Sequence, residues 1–471
     1  MHYFGAALVF GIIIAVGAWS GRKVKTHDDY TGRARRANPA LVAGALLGTI
    51  TGGAATIGTA QLAYSNGLSA WWFTIGCAVG LLLFGTVLLR PVYNCGVQTV
   101  PGLIGGAFGT RAAKTGAILS SIGTFLSVVA QLLAATALIT AFSDLSDLPA
   151  LTLMIVLVIG YVVFGGSLGA GYVGIVKTVL LLLTVATCAL LALSDVGGFN
   201  GLLHNPALPP EQYLNFNSRG FGLDAGAGIS LVLGVVTEQA YFQTLLSARS
   251  VKASRVGTLS AGALVPIIGA LGVLVGMSMR VSHPGIESRL ALPLFIKDHL
   301  PALPAGVALA VLLVVLVGSA SGLSFGIATV LVRDLLPQRM SANNTQTALT
   351  VTPTDARQLL ISRAVLLVVL LGAAAVCLFN MGGLILSWSF LSMGLRGAVA
   401  FWPVIAALFL PFRVNPRVVV PAMIAAPAAT VLGSWLSSAR IDPVWFGVAA
   451  SFVIMLSGML LHKPLKKSAD S

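Results

Sequence analysis

Three ionisable residues stand in stretches that are otherwise apolar: Glu238 in GISLVLGVVTEQAYFQ, Lys177 in YVGIVKTVLLLL and Arg396 in FLSMGLRGAVAFW. A charge at the centre of a bilayer costs about 2.5–3.5 kcal/mol on insertion scales, so each needs a partner or a task. Glu238 is the one carboxylate whose position in the sequence fits neither a helix end nor a loop. The two cations exceed the one anion by a single charge, which is costly in a low dielectric. A bound anionic solute can balance it. Lys177 can give up its proton, which would permit proton coupling. Lys177 can also snorkel, because it lies near the end of its apolar run. Arginine has no neutral form to fall back on. Arg396 therefore faces a solute, pairs with Glu238, or caps carbonyls of a broken helix. Glu238 serves a solute or proton site, or a structural ion pair.

The elements that must position these charges are helices in a membrane. The chain has 471 residues, 57% hydrophobic and 9% charged, which is not a soluble composition. Apolar runs of 18 or more residues recur from end to end. The reading is all-α, a single polytopic membrane domain over 1–471. Thirteen transmembrane helices are expected, at 4–20, 39–66, 70–92, 115–143, 149–166, 171–194, 225–246, 256–280, 303–332, 359–379, 383–411, 416–437 and 443–462. The first is a retained span, because its basic flank follows it. The net charge of +14 lies in short loops. Arg22, Lys23, Lys25, Arg33, Arg35, Arg36, Arg249, Lys252, Arg255, Arg333, Arg339, Arg357, Arg413 and Arg417 fall on one side, with Lys463, Lys466 and Lys467. That asymmetry puts the N-terminus outside and the C-terminus in the cytoplasm of a multi-pass cell-membrane protein. It also makes nucleic acid an unsuitable partner. Four scattered cysteines and six histidines have no metal-ligand spacing.

Two helices are built to break. The second span contains GTITGGAATIG, with Gly48, Gly52, Gly53 and Gly58. The seventh contains Gly234 followed by Thr237, Glu238 and Gln239. They lie five spans apart and run in opposite directions. Such paired interruptions point to inverted repeats with a site at midplane, since unwound backbone is tolerated only where it lines a cavity. Gln131 on span 4 is a buried amide of the kind that usually joins helices. Thr56, Gln61, Tyr64 and Trp388 are weaker candidates, and Asp334 reads as an exposed cap.

Several stretches together resemble the solute:sodium symporter family. HDDYTGRARRANPALVAGALLG and ATIGTAQLAYSNGLSAWW are similar to its first repeat helix, and QTVPGLIGGAFGTR to its cytoplasmic segment, with Gly102 in place of an acid. YVVFGGSLGAGY resembles the end of its fifth span. LGVVTEQAYFQTLLSARSVKAS resembles the seventh, notably in the branch with choline carriers. The likeness covers about 25–420. It implies a LeuT-type core of five plus five helices, spans 2–6 and 7–11, working by alternating access. One N-terminal and two C-terminal helices are added, so that 1–38 holds the extra helix and basic loop, 39–194 repeat 1, 225–411 repeat 2 and 412–471 the C-terminal helices and tail.

The same resemblance carries over a Na+ site. Its carbonyls fall at Gly48, Thr51 and Val315, and its hydroxyl pair at Gly318 and Ser319, of which only Ser319 keeps a hydroxyl. Ser321 and Ser324 are near enough to compensate. Where the family reads an acid and a glutamine in span 6, this chain has Gly174 and Lys177. A lysine there resembles the fixed ammonium of some LeuT-type carriers outside the family.

The function expected is secondary transport, not catalysis, of a small polar organic solute. The substrate-binding candidates are Thr237, Glu238, Gln239, Arg396, Ala55, Thr56 and Gln131. Coupling would use Na+ or H+ at Gly48, Thr51, Val315, Gly318, Ser319 and Lys177, with no other cofactor. A proton-coupled or ion-independent facilitator or channel-like carrier, with Lys177 in place of the sodium site, is the alternative. Arg396 favours a carboxylate, Glu238 an organic cation, and a zwitterion suits both. The partners are the solute and the lipid bilayer, and the chain is expected as a monomer or weak homo-oligomer.

Overall fold

The computed structural model describes residues 35–143, 145–164, 167–335, 353–410, 413–436 and 441–461, with Gly5, Val9 and Gly11. Among them the secondary structure is helical, apart from an isolated bridge between Ala37 and Ala248. The first expected span, the basic loop 21–34 and the C-terminal tail lie almost wholly outside the described residues. The other twelve expected spans each coincide with helix to within a few residues.

Helix α1 (Pro39–Ile50) begins where Asn38 accepts the Leu41 amide at 2.9 Å and proline takes the first turn, a start that satisfies one free N–H and wastes none. It stops at Thr51-Gly52-Gly53. A π-turn over Ala54–Gly58 leads into α2 (Thr59–Asn66). There the chain doubles back at Gly67, whose φ of +61° suits glycine. Then follow α3 (Trp72–Leu83), α4 (Leu89–Asn94), α5 (Val100–Phe108), α6 (Thr110–Phe142), α7 (Asp147–Phe164) and α8 (Ser167–Asp195). Two short helices, α9 (Gly198–Leu203) and α10 (Pro210–Tyr213), lead to α11 (Phe221–Thr237) and α12 (Gln239–Leu246). The remainder is α13 (Val251–Ser282), α14 (Ala291–His299), α15 (Ala302–Val330), α16 (Pro353–Leu378), α17 (Ile385–Phe409), α18 (Pro416–Leu436) and α19 (Val444–Leu460).

By length and apolarity eight helical runs among the described residues can cross a membrane, or nine if α11 and α12 form one bent span. One of the eight, Ala54–Asn94, is counted as continuous. Its neighbours along α13 contradict that. Thr59 and Ala60 meet Gly272 and Gly276, and Tyr64 bonds the carbonyl of His283, whereas Thr74 meets Gly269 and Ala78 meets Gly262. The chain runs up α13 and returns along it, so this stretch is two passes.

Glycines let backbones approach closely where lipid gives no hydrophobic drive for helix association. Helix α1 packs on α8 through Gly44 and Gly174. Helix α11 packs on α17 through Gly234, which faces Met393, and through Gly397, which faces Leu233. Likewise α2 lies against α13 as α3 lies against α11, and α8 against α15 as α17 lies against α6. The same set of pairings therefore occurs twice. Gly76 of α3 is one of the tightest points, since a Cβ there would sit 2.6 Å from the carbonyl oxygen of Gly228. Backbone cannot yield as a side chain can. Gly76→Val is expected to cost about 1–3 kcal/mol, read as a lower unfolding midpoint of the purified protein in detergent. An unchanged midpoint would remove this contact from the packing of α3 on α11.

Candidate functional site

Glu238 sits at a break. Helix α11 ends at Thr237, Glu238 is extended (φ −77°, ψ 121°), and α12 leaves at 48° to α11. The carboxylate accepts the Ala240 amide at 3.4 Å, so it stands at a helix N-terminus, where negative charge is favoured. It also forms an ion pair with Arg396 of α17. The two side chains are 0% and 1% exposed, which sets the pair fully inside the protein. Arg396 donates to Thr124 Oγ1 at 3.1 Å and lies 2.7 Å from Met393 Sδ. Gly123 of α6 leaves room for its stem, while its Nε has no hydrogen-bond partner.

Lys177 occupies the other break. Only 6% of it is exposed, so it does not snorkel. Its Cε and Nζ lie 2.7 and 3.4 Å from the place a methyl on Gly48 would take, and Ser319 donates to the Gly48 carbonyl at 3.4 Å. Among the described residues no carboxylate forms an ion pair with it. The geometry echoes that of Arg396. Gly174 and Lys177 meet Gly44 and Gly48 on α1, and Met393 and Arg396 meet Gly234 and Glu238 at the end of α11. Each broken helix thus meets a buried cation, but only one of the cations has an acid.

The other candidates divide. Gln131 joins α6 to the first break, its Oε1 accepting the Gly53 amide at 2.7 Å. The hydroxyls of Thr51, Thr56 and Thr237 donate to carbonyls of their own helices, at Leu47, Gly52 and Leu233. Ala55 and Val315 are wholly buried. Gln239 turns away from Arg396. Its amide holds the start of α5, donating to Gln98 O and accepting from Val100 N, both at 3.0 Å. Gly318 offers its carbonyl to Ser321, and the Ser324 hydroxyl is buried without a partner. Asp334 is half-buried rather than the exposed cap expected, and Thr99 donates to it at 3.2 Å.

Sequence reading missed a hydroxyl face on α6. Ser120, Ser121, Thr124 and Ser127 are all buried, and Ser127 meets Ser392 at 2.6 Å. Their three- and four-residue spacing, continuing to Gln131, was the available signal. Beside the ion pair, Ser120, Ser121, Thr124, Thr237 and Gln239 border a void of about 10 Å³, roughly the room of one water. The donor set around Gly48 does not suit a sodium ion. The Ser319 hydroxyl is spent on the Gly48 carbonyl, and a lysine head, itself positive, lies beside them. Among the described residues no group of three or more His, Cys, Asp or Glu side chains could hold a metal.

A helical bundle with two broken helices and charges at the breaks is the architecture of LeuT-type transporters, and the solved structures agree in fold. The chain superposes on a Na+-coupled sialic acid symporter in a substrate-bound outward-open state, with TM-score 0.79, 17% identity and 99% of each chain covered. It also superposes on a nucleobase-cation-symport-1 family transporter in a closed conformation, with TM-score 0.59, 12% identity and 92% and 95% covered. The sodium:solute symporter family matches residues 30–425, and the chain belongs to that family. Relatives include the uncharacterized symporter YwcA of Bacillus subtilis (strain 168), 22% identical over 66% of this chain and 64% of that protein. The high-affinity choline transporter 1 of Caenorhabditis elegans is 24% identical over 57% of this chain and 48% of that protein. The chain thus spans between about half and under two thirds of the length of these relatives. Family and relatives are transporters rather than enzymes.

Removing one member of a buried pair leaves an orphaned charge, at a cost of about 3–5 kcal/mol, whereas replacing both is often neutral. Glu238→Gln is therefore expected to lower the unfolding midpoint sharply, and Glu238→Gln with Arg396→Met to recover most of the loss. Additive losses in the double variant would mean that the two residues do not act as a pair.

Proposed function

We propose that this chain imports a small polar organic solute across the cell membrane by alternating access. Its core is two inverted repeats, 39–194 and 225–411, with the N-terminus outside and the C-terminus in the cytoplasm, and it works as a monomer or weak homo-oligomer. The observation that carries the reading is the break at Glu238, buried against Arg396. A helix interrupted in the interior, with a charged pair at the interruption, is how carriers build a midplane site. The solute would bind among Thr237, Glu238, Arg396, Ala55, Thr56 and Gln131. The pair binds a zwitterion by exchange, the solute's carboxylate meeting Arg396 and its cation meeting Glu238. A symporter of sialic acid and a choline transporter among the similar proteins bracket these two charges without selecting a solute.

The coupling step has a second reading, favoured by the position of Lys177. Its head stands beside Gly48, one of the positions that, with Thr51, Val315, Gly318 and Ser319, would otherwise face a cation. It then supplies the fixed positive charge, and coupling passes to a proton at Lys177 or is absent. Equilibrium binding of radioactive sodium to the purified chain separates the readings. A lysine-occupied site predicts no saturable sodium binding by the natural protein and its appearance in Lys177→Ala. Saturable binding before the substitution would return the site to sodium. With a solute chosen by thermal-shift screening, Thr124→Val, which removes a hydrogen bond from Arg396 but no charge, is expected to slow uptake into proteoliposomes about tenfold or more. Unimpaired uptake would move the solute away from Arg396.

A further inference from the structure

A second cavity lies toward the opposite end of α11 from the break at Glu238, with Leu395, the neighbour of Arg396 in sequence, on its wall. It occupies about 170 Å³ between the first halves of α11 and α17 and the connection from α18 to α19. Ala227, on its wall, precedes Glu238 by eleven residues, about 16 Å along a helix. We propose that this cavity is a binding site for a small organic ammonium, held by the Asp442 carboxylate and the Phe390 ring. The assignment goes beyond the transport reading, and its test measures binding rather than uptake.

Charge selects the sign of the ligand. Among the described residues three ionisable groups meet at this end, Arg219, Asp224 and Asp442. The guanidinium is committed to Asp224, with Nε at 2.7 Å and Nη2 at 2.6 Å from the same carboxylate oxygen. Asp442 has the Val444 amide on Oδ1 at 2.9 Å, and no cation forms an ion pair with it among the described residues. Among the described residues, two carboxylates against one guanidinium leave this end one negative charge in excess. Burial pushes the Asp442 carboxyl above its ordinary range, and the Val444 amide and Arg219 offset only part of this. A positive ligand relieves that cost and an anion compounds it.

Shape selects the rest. Phe390 is 6% exposed, and the Arg219 guanidinium lies 5.5 Å from its ring centre. Cations favour aromatic faces, so this ring already accepts one. The Ser230 hydroxyl, 1% exposed and without a partner, stands 3.0 Å from the Cβ position of Gly394 on the cavity wall. Leu391 and Leu395 provide an apolar side. A cavity of about 150 Å³ holds a benzene molecule, so the occupant is an amine with an apolar body of that order. Leu391 is 45% exposed, which opens the site at the protein surface. A free amine and the amine headgroup of a lipid share this chemistry.

Isothermal titration of the purified full chain in detergent with benzylammonium tests the site, with benzoate as the isosteric anion. The expected result is saturable binding of the amine only. It should weaken at least tenfold in Asp442→Asn and in Leu391→Trp, which fills the cavity from its exposed side. It should persist in the Glu238→Gln, Arg396→Met double variant, which orphans no charge. Binding should also fade as the pH falls through the raised range of the Asp442 carboxyl, Arg219 and Asp224 being the other charged groups facing it. Equal binding of benzoate, indifference to both cavity variants, or loss in the double variant would overturn the assignment. Repeating the titration in bilayer discs, with phosphatidylethanolamine exchanged for a neutral glycolipid, identifies the source. Weaker binding with the aminolipid names its headgroup as the resident, equal binding names a free solute, and each supports the ammonium site.

Discussion

In this bundle the ion pair between Glu238 and Arg396 decides where the seventh span may come apart. An interior carboxylate is tolerated because a guanidinium meets it and a helix N-terminus points at it. An interior guanidinium is tolerated because the carboxylate balances its charge and the Thr124 hydroxyl accepts a hydrogen bond from it. Neither could stand alone in this surrounding. The pair in turn fixes the relation of α11 and α12 to α17 and, through Gly123 and Thr124, to α6. Four helices are thereby tied to one point, and that point is a break rather than a continuous rod.

The first broken helix is held by different means. At α1 the interrupted backbone is met by neutral groups, with Gln131 on the Gly53 amide and Ser319 on the Gly48 carbonyl. The cation that corresponds in position to Arg396 is Lys177, and among the described residues no acid pairs with it. A glycine at position 48 is what admits its head. The two halves of the core therefore share a pattern of contacts but not a charge balance: one break is electrically closed and the other carries a net positive charge. That inequality is the physical reason to look for coupling at the first break and for solute at the second.

Much of the helical order was legible in the sequence because lipid enforces a simple rule. Backbone groups must be satisfied within each segment, so apolar length alone reveals a helix. Twelve of the spans read that way coincide with helices, and the interruptions at Gly52-Gly53 and at Glu238 fall where glycine and polar residues had placed them. Short polar-flanked helices such as α5 and α14 were not readable, because nothing in their length separates them from loops. Gln239 shows a different limit. It follows Glu238 in sequence, yet the turn of α12 aims it at the start of α5. Asp334 reads as an exposed cap until Thr99 is seen beside it, 235 residues away in the chain.

The sequence by itself determined the class of fold, the approximate positions of the spans and the presence of three costly charges, because each follows from local composition against an apolar solvent. Tertiary structure alone decided which charge faces which. Glu238 and Arg396 are separated by 158 residues, and no periodicity links them; the packing of α11 on α17 does. Lys177 stands near the end of an apolar run and reads as a residue able to reach water. Only the close contact of α8 with α1, made through Gly44 and Gly174, closes that route and turns its ammonium inward to Gly48.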